Sequence, residues 1–365
     1  MASSGSSFSL SDAVIGMLKN RQRSFNNESQ FFLMVVGSAA KHEYHLLPWR
    51  SHNCTMEVIL NTIFLSCVLG VASGFAWGAT VQHLEVKADG HTWTYHLHVP
   101  PKAIPSGAPL VVVFHGAGGN GKDYLTKNGW AALSEQEGFV VVAPDGLPAL
   151  PRMPANFRIN PRLWNSGQLN ARSPRAKIND VAFVTALLDD VAQRTPVDRN
   201  RIYATGHSNG AGMTFKIGAE LSSRFAGIAT VMGLNSSEGA QPTKALPTLM
   251  LIGTRDPLNP IEGGERQLPW GKSTVPPVAQ GIQAWSQSLD CTTPAVQERD
   301  DDEVTVARFI HCRDGATYTI WYLKGQGHAW PGGQESGLPE SVMGPNVTRV
   351  NATALIWQFF SSLPH

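Results

Sequence analysis

The chain has 365 residues, a formal net charge of +1 and only 16% charged residues, well below the ~25% usual in soluble globular proteins. With the charge near zero and no dense Lys/Arg cluster, the sequence excludes the electrostatic footprint of a nucleic-acid binder or of a protein drawn to acidic lipid. The length suits one large α/β domain plus an appendage.

Residues 1–57 are rich in Ser and Asn without sustained periodicity, and read as a disordered or untranslated extension. Residues 58–79 carry no charge and turn toward small residues at Ala76, Gly78 and Ala79, which is how a secretory signal ends. A start at Met56 would leave this segment no basic flank, whereas a start at Met1 puts Lys41 and Arg50 upstream, as a start site assigned too early would. The rival reading is a membrane anchor, since about 20 apolar residues span a bilayer. The protein is therefore expected to be secreted, or to meet a membrane only if this segment is retained. Cys54 and Cys67 fall in the part that a signal would lose, which leaves Cys291 and Cys312 as an even pair. Export favours a disulfide between them, and two buried thiols are the alternative. Neither cysteine has a CxxC neighbour or a His at ligand spacing, so no metal site is expected.

From about residue 80 a folded domain is expected to run to residue 365. Trp93 to Val99 alternates apolar and polar residues like an edge strand before Pro100 stops it. Nearly continuous apolar runs follow at Leu110 to Phe114, Phe139 to Ala143, Ile202 to Thr205 and Leu249 to Ile252, the pattern of strands buried on both faces. Helical patterns lie between them at Asp123 to Glu137 and at Asp180 to Gln193, the latter capped by Asn179 or Asp180. Strand, helix, strand in this order implies an α/β fold with a mostly parallel central sheet and helices on both faces. Val350 to Leu363 reads as a closing amphipathic helix, and the Pro-rich stretch from Leu147 to Arg175 as one long loop of the kind that forms a lid or binding wall.

The pentapeptide Gly206-His207-Ser208-Asn209-Gly210 sits where a buried strand turns into a helix, the setting of a nucleophile elbow. A β-carbon at either flanking glycine would collide with the neighbouring strand or helix. The helix N-terminus would also stabilise a developing oxyanion. Ser208 is thus the candidate nucleophile, with the backbone N–H of Asn209 as one oxyanion donor. The second donor is expected from the Gly-rich loop after Phe114, at Ala117 or, if the loop turns one residue earlier, at Gly116. Asp256 follows the run Leu249 to Ile252, where catalytic groups gather in open α/β sheets. His328 follows a strand at Thr317 to Tyr322 inside a Gly-rich loop. Ser208, Asp256 and His328 appear in the chain order of an α/β-hydrolase triad, with His328 as base and Asp256 as its orienting acid. No cofactor is required. His115, Trp164 and Trp330 are candidates to line the substrate pocket, since they lie in loops expected near the C-terminal edge of the sheet.

The set Val113 to Asn120, Ala143-Pro144-Asp145-Gly146, Trp164-Asn165, Asp180 to Val184, Ala204 to Gly210 and Gly327 to Gly333 resembles the polyhydroxybutyrate depolymerase and feruloyl esterase family of extracellular serine esterases. The resemblance runs from about Leu110 to the C-terminus. It implies an α/β-hydrolase fold, a triad of Ser208, Asp256 and His328, and a Cys291–Cys312 disulfide. Two positions depart from the family pattern: Ala117 stands where many relatives carry Cys, and Asn179 replaces an acid. The expected partner is a small or polymeric ester, feruloyl or related plant-wall esters before hydroxyalkanoate oligomers. The competing readings are a hydrolase fold kept as a binding module and a peptidase of the same fold.

Overall fold

The computed structural model describes residues 81–102, 106–236, 241–334 and 337–364. The N-terminal extension and the segment 58–79, with Cys54 and Cys67, lie outside the described residues. No described helix is long and apolar enough to cross a membrane.

Among the described residues ten strands form one sheet. Its centre is parallel: β4 (Val140–Pro144), β3 (Ala108–Phe114), β5 (Val197–His207), β6 (Gly227–Val231), β7 (Thr248–Gly253) and β12 (Tyr318–Leu323) lie side by side in that order. At one edge β2 (His91–His98) runs antiparallel to β4, and β1 (Gln82–Ala88) antiparallel to β2. At the other edge β11 (Val304–Phe309) and β10 (Val296–Asp300) extend the sheet, antiparallel from β12 outward. A separate hairpin pairs β8 (Gly264–Leu268) with β9 (Gly271–Val275). The helices are α1 (Gly121–Lys127), α2 (Trp130–Glu137), α3 (Asp180–Arg194), α4 (Asn209–Glu220), α5 (Val278–Ser288), α6 (Glu340–Met343) and α7 (Ala352–Ser361).

The period of two in a strand sorts the apolar runs onto two faces. Leu110, Val112 and Phe114 of β3 join Phe183, Leu187, Met213, Phe215 and Trp285 from α3, α4 and α5 in one core. Val111 and Val113 join Leu125, Trp130, Ile356 and Phe360 from α1, α2 and α7 in the other. Every residue of β3 is buried, so this strand reads as an unbroken apolar run. At about 1.5–3 kcal/mol for each large side chain buried, such a strand tolerates no polar insertion. The result is an α/β-hydrolase fold.

Three local expectations change. Trp93 to Val99 is not at the edge, because β1 pairs with β2 in continuous register from Gln82↔Leu97 to Ala88↔His91. The single helix expected from Asp123 to Glu137 is two, since Gly129 takes a left-handed φ of 79° between α1 and α2. The sequence pattern around His311 places it inside a strand, but it lies past the end of β11.

Candidate active site

The site gathers at the C-terminal ends of the parallel strands, where their outgoing loops meet. At the end of β5 the chain turns at once into α4, and Ser208 between them takes φ 54° and ψ −119°. This region is costly for a side chain and marks a residue held by its surroundings. Both flanking glycines are required by close backbone approach. A β-carbon on Gly206 would lie 2.3 Å from the Gly210 carbonyl oxygen, and one on Gly210 would lie 2.4 Å from that of Phe114.

Ser208 Oγ lies 2.8 Å from His328 Nε2, and His328 Nδ1 lies 2.7 Å from Asp256 Oδ2. The other carboxylate oxygen, Oδ1, accepts from the backbone N–H groups of Leu258 and Asn259 at 2.7 and 2.9 Å. Burial pushes the Asp256 carboxyl up. Attraction to His328 and these hydrogen bonds outweigh it and hold the group below the usual carboxylate range. A carboxylate can only accept, so Nδ1 carries the proton and Nε2 is free to accept from the serine hydroxyl. The His328 loop is braced from behind: Gln326 is fully buried, and its Oε1 accepts from the backbone N–H groups of Val347 and Thr348.

Two cavities meet at Ser208. The larger, about 700 Å³, is lined by the Gly116–Asn120 loop, Tyr124, Phe157, His328, Ala329 and Trp330 among others. The smaller, about 170 Å³, includes Asn209, Leu234, Asn259 and Arg266 in its wall. Ala117, Ser208, Leu268 and Trp270 belong to both. Trp270, at the tip of the β8–β9 hairpin, meets Phe157 from the long loop edge-on with ring centroids 6.2 Å apart.

The expected pocket residues divide. Trp330 lines the larger cavity while its indole N–H donates to Thr353 Oγ1. His115 and Trp164 line neither cavity, which corrects the expectation for both. They are fully buried, because the loops carrying them turn inward at the sheet edge. The Trp164 indole N–H donates to the His115 carbonyl at 2.8 Å, and His115 Nε2 accepts from Gly146 N–H at 2.9 Å. Together they hold the shape of the loop that carries Ala117. The Asn209 side chain pins the same region, accepting from Trp164 N–H and donating to the Trp164 carbonyl. Its backbone N–H opens α4 beside the serine.

Residue types and spacing did not disclose a second hydrogen-bonded path beneath the nucleophile. His207 Nε2 lies 2.7 Å from the His328 carbonyl oxygen and so donates to it, which leaves Nδ1 to accept from the Tyr124 hydroxyl at 2.6 Å. Burial first, then repulsion from His328, lowers His207 to about 3, so it bridges these loops as a neutral ring. Its position inside the Gly206–Gly210 pentapeptide was the available signal. Asn259 and Arg266 were also missed. Asn259 Nδ2 donates to the Met232 carbonyl and its Oδ1 accepts from Arg266, which ties the β8–β9 hairpin to the Asp256 turn. The turn residues Pro269 and Gly271 on either side of Trp270 were the sequence hint of that hairpin.

Cys291 and Cys312 form a disulfide joining the end of α5 to the segment after β11. Among the described residues no group of three or more His, Cys, Asp or Glu side chains could hold a metal ion.

Fold and site together define a carboxylic-ester hydrolase of the α/β-hydrolase class. A family model described as esterase PHB depolymerase matches residues 93–264, just under half of the chain. A protein of Nocardia uniformis subsp. tsuyamanensis, NocK, whose name gives it as an esterase, is 29% identical over 281 residues, covering 70% of this chain and 75% of its own. Feruloyl esterase B of Piromyces equi is 24% identical over 61% of this chain, and poly(3-hydroxyalkanoate) depolymerase C of Paucimonas lemoignei 31% identical over 37%. The chain spans only 40% and 30% of the length of these last two. Among solved structures, an acetyl xylan esterase from Aspergillus awamori aligns with a TM-score of 0.48 at 16% identity, covering 68% of this chain and 94% of its own.

Proposed function

We propose that the protein is a secreted serine esterase in which Ser208, His328 and Asp256 cleave carboxylic esters through an acyl-enzyme. The observation that carries this reading is the unbroken hydrogen-bond chain from Ser208 Oγ through the imidazole to the Asp256 carboxylate, at the junction of two cavities. His328 Nε2 takes the proton of Ser208 as Oγ attacks the ester carbonyl, and Asp256 fixes the tautomer and steadies the imidazolium. The oxyanion is received by the backbone N–H groups of Asn209 and Ala117. Ala117, which unlike Gly116 lines both cavities beside Ser208, is the better second donor. The same histidine protonates the departing alcohol, and water then repeats the sequence to release the acid.

The substrate class is carboxylic esters, with feruloyl and hydroxyalkanoate esters within its range, which the family match and the relatives' names support. The Cys291–Cys312 disulfide supports export, because such bonds persist in oxidising compartments. The test is labelling of the folded protein with a fluorophosphonate probe, followed by peptide mapping. The label is expected on Ser208, and Ser208→Ala is expected to lose both label and esterase activity. A folded protein that takes no label at Ser208 would be a binding module and refutes the reading.

A further inference from the structure

The chemistry of the leaving group tells the two cavities apart. His328 must hand its proton to the alcohol oxygen, so the alcohol half of the ester lies on the side lined by His328, Ala329 and Trp330, in the larger cavity. The acyl half then lies on the opposite side, in the smaller cavity, which Asn209 lines and His328 does not. That cavity, about 170 Å³, is below the ~300–1,000 Å³ of ordinary ligand sites, so it suits a short acyl chain.

Its wall carries one charged residue, Arg266, and no acid. The guanidinium is firmly placed: Nε donates to Ser273 Oγ at 2.9 Å, and Nη1 donates to the Leu258 carbonyl at 3.0 Å and to Asn259 Oδ1 at 3.2 Å. These bonds leave Nη2 with no hydrogen bond, and Arg266 with no ion pair, among the described residues. Burial lowers the pKa of this guanidinium, and Asp256 only partly offsets that. A partly desolvated cation held by neutral groups, with a free amino group at a cavity, is built to receive an oxygen acceptor, and a carboxylate is the strongest.

We propose that the smaller cavity is an acyl-recognition site for short acyl groups tipped by an oxygen acceptor, with Arg266 as the residue that reads it. The preferred substrates are half-esters of short dicarboxylic acids, ahead of flat aromatic acyl groups. This rests on Ser208 as the nucleophile. The covalent step is unchanged: the Ser208 Oγ–acyl bond forms as the bond to the alcohol breaks, and water releases a dicarboxylic acid.

The experiment compares benzyl hydrogen succinate with benzyl 4-methylpentanoate, which has nearly the same shape but no charge, on the purified full chain, following benzyl alcohol by chromatography. Both esters share one alcohol and one nucleophile, so the ratio of their kcat/KM values reports the acyl group alone. The ratio is expected to favour the succinate by about tenfold or more, in line with one charge-assisted hydrogen bond. It should fall toward unity in Arg266→Gln, be partly kept in Arg266→Lys, and shrink with added salt. An arginine that only staples the hairpin to the Leu258–Asn259 turn would slow both esters equally in Arg266→Gln and leave the ratio unchanged, which overturns the proposal. A wild-type ratio of one or less overturns it without any variant, as does methyl ferulate outrunning both esters. Hydrolysis of 4-nitrophenyl acetate with neither benzyl ester cleaved sinks the acyl site alone. No hydrolysis of any ester and no label on Ser208 sinks the esterase reading beneath it.

Discussion

Acid is expected to destabilise this protein through two buried imidazoles before the carboxylates titrate. Burial holds His115 at about 4 and His207 at about 3, against an ordinary value of 6.5. Below pH 6.5 the unfolded chain takes up protons on both rings while the folded chain does not. The unfolded state then binds more protons, so stability falls as pH falls, and continues to fall until the folded values are reached. At ~1.4 kcal/mol per pH unit, each ring costs about 2 kcal/mol at pH 5. Together they remove about 4 kcal/mol from a stability typically of about 5–15 kcal/mol. The bonding explains why the rings resist protonation. Nε2 of His115 already accepts from Gly146 N–H, and Nδ1 of His207 from the Tyr124 hydroxyl, so an added proton would face an existing donor. Urea denaturation followed by tryptophan fluorescence at pH 8, 6.5 and 5 should place nearly all of the loss below pH 6.5. His207→Gln, which cannot gain a proton, should remove about half of that pH dependence. A stability that stays flat from pH 8 to 5, or His115 and His207 resonances of the folded protein titrating near 6.5, would refute the reasoning.

Trp164→Phe leaves the buried His115 carbonyl without its donor and should cost about 1–3 kcal/mol by denaturation, while KM for a bulky aryl ester stays unchanged. Trp270→Ala should do the reverse, raising KM for that ester while stability moves by no more than about 0.5 kcal/mol, because the residue is a cavity wall on an exposed hairpin tip. Dithiothreitol, or Cys291→Ser with Cys312→Ser, should remove about 3 kcal/mol, as expected for a cross-link spanning 21 residues, read as a lowered urea midpoint. Gly210→Ala drives a β-carbon into the Phe114 and His115 carbonyl oxygens and should cost about 3 kcal/mol or more, with activity lost in parallel, in a soluble-yield and kinetic assay.

The central sheet was legible because strands buried on both faces must be apolar at every position, and Leu110 to Phe114 and Leu249 to Ile252 are. The nucleophile turn was legible for a related reason: only glycine fits between the backbone atoms at residues 206 and 210. The sheet's outer strands left a weaker trace. β10 is exposed along its whole length, and β1 is largely exposed, so neither needs an apolar pattern. β6, five residues with three glycine, alanine or threonine positions, is too short and small to stand out. His115 and Trp164 show the limit at the site itself. Their loops were placed correctly at the sheet edge, but residue type does not reveal whether a ring in such a loop turns toward the cavity or beneath it. Arg266 belongs to a hairpin whose polar strands, GERQL and GKSTV, look like any solvated loop until the fold brings them beside Asn259.

The unequal cavities also have a kinetic consequence. Once the alcohol leaves, every ester of a given acid has become the same acyl-enzyme, with the small cavity filled and the large one vacated. Esters that differ only in their alcohol should therefore converge on one turnover number wherever release of the acid limits the rate. The vacated space of about 700 Å³ is open to an incoming alcohol as well as to water. In alcohol-rich mixtures the protein should exchange alcohols between esters of one acid more readily than it exchanges acids on one alcohol.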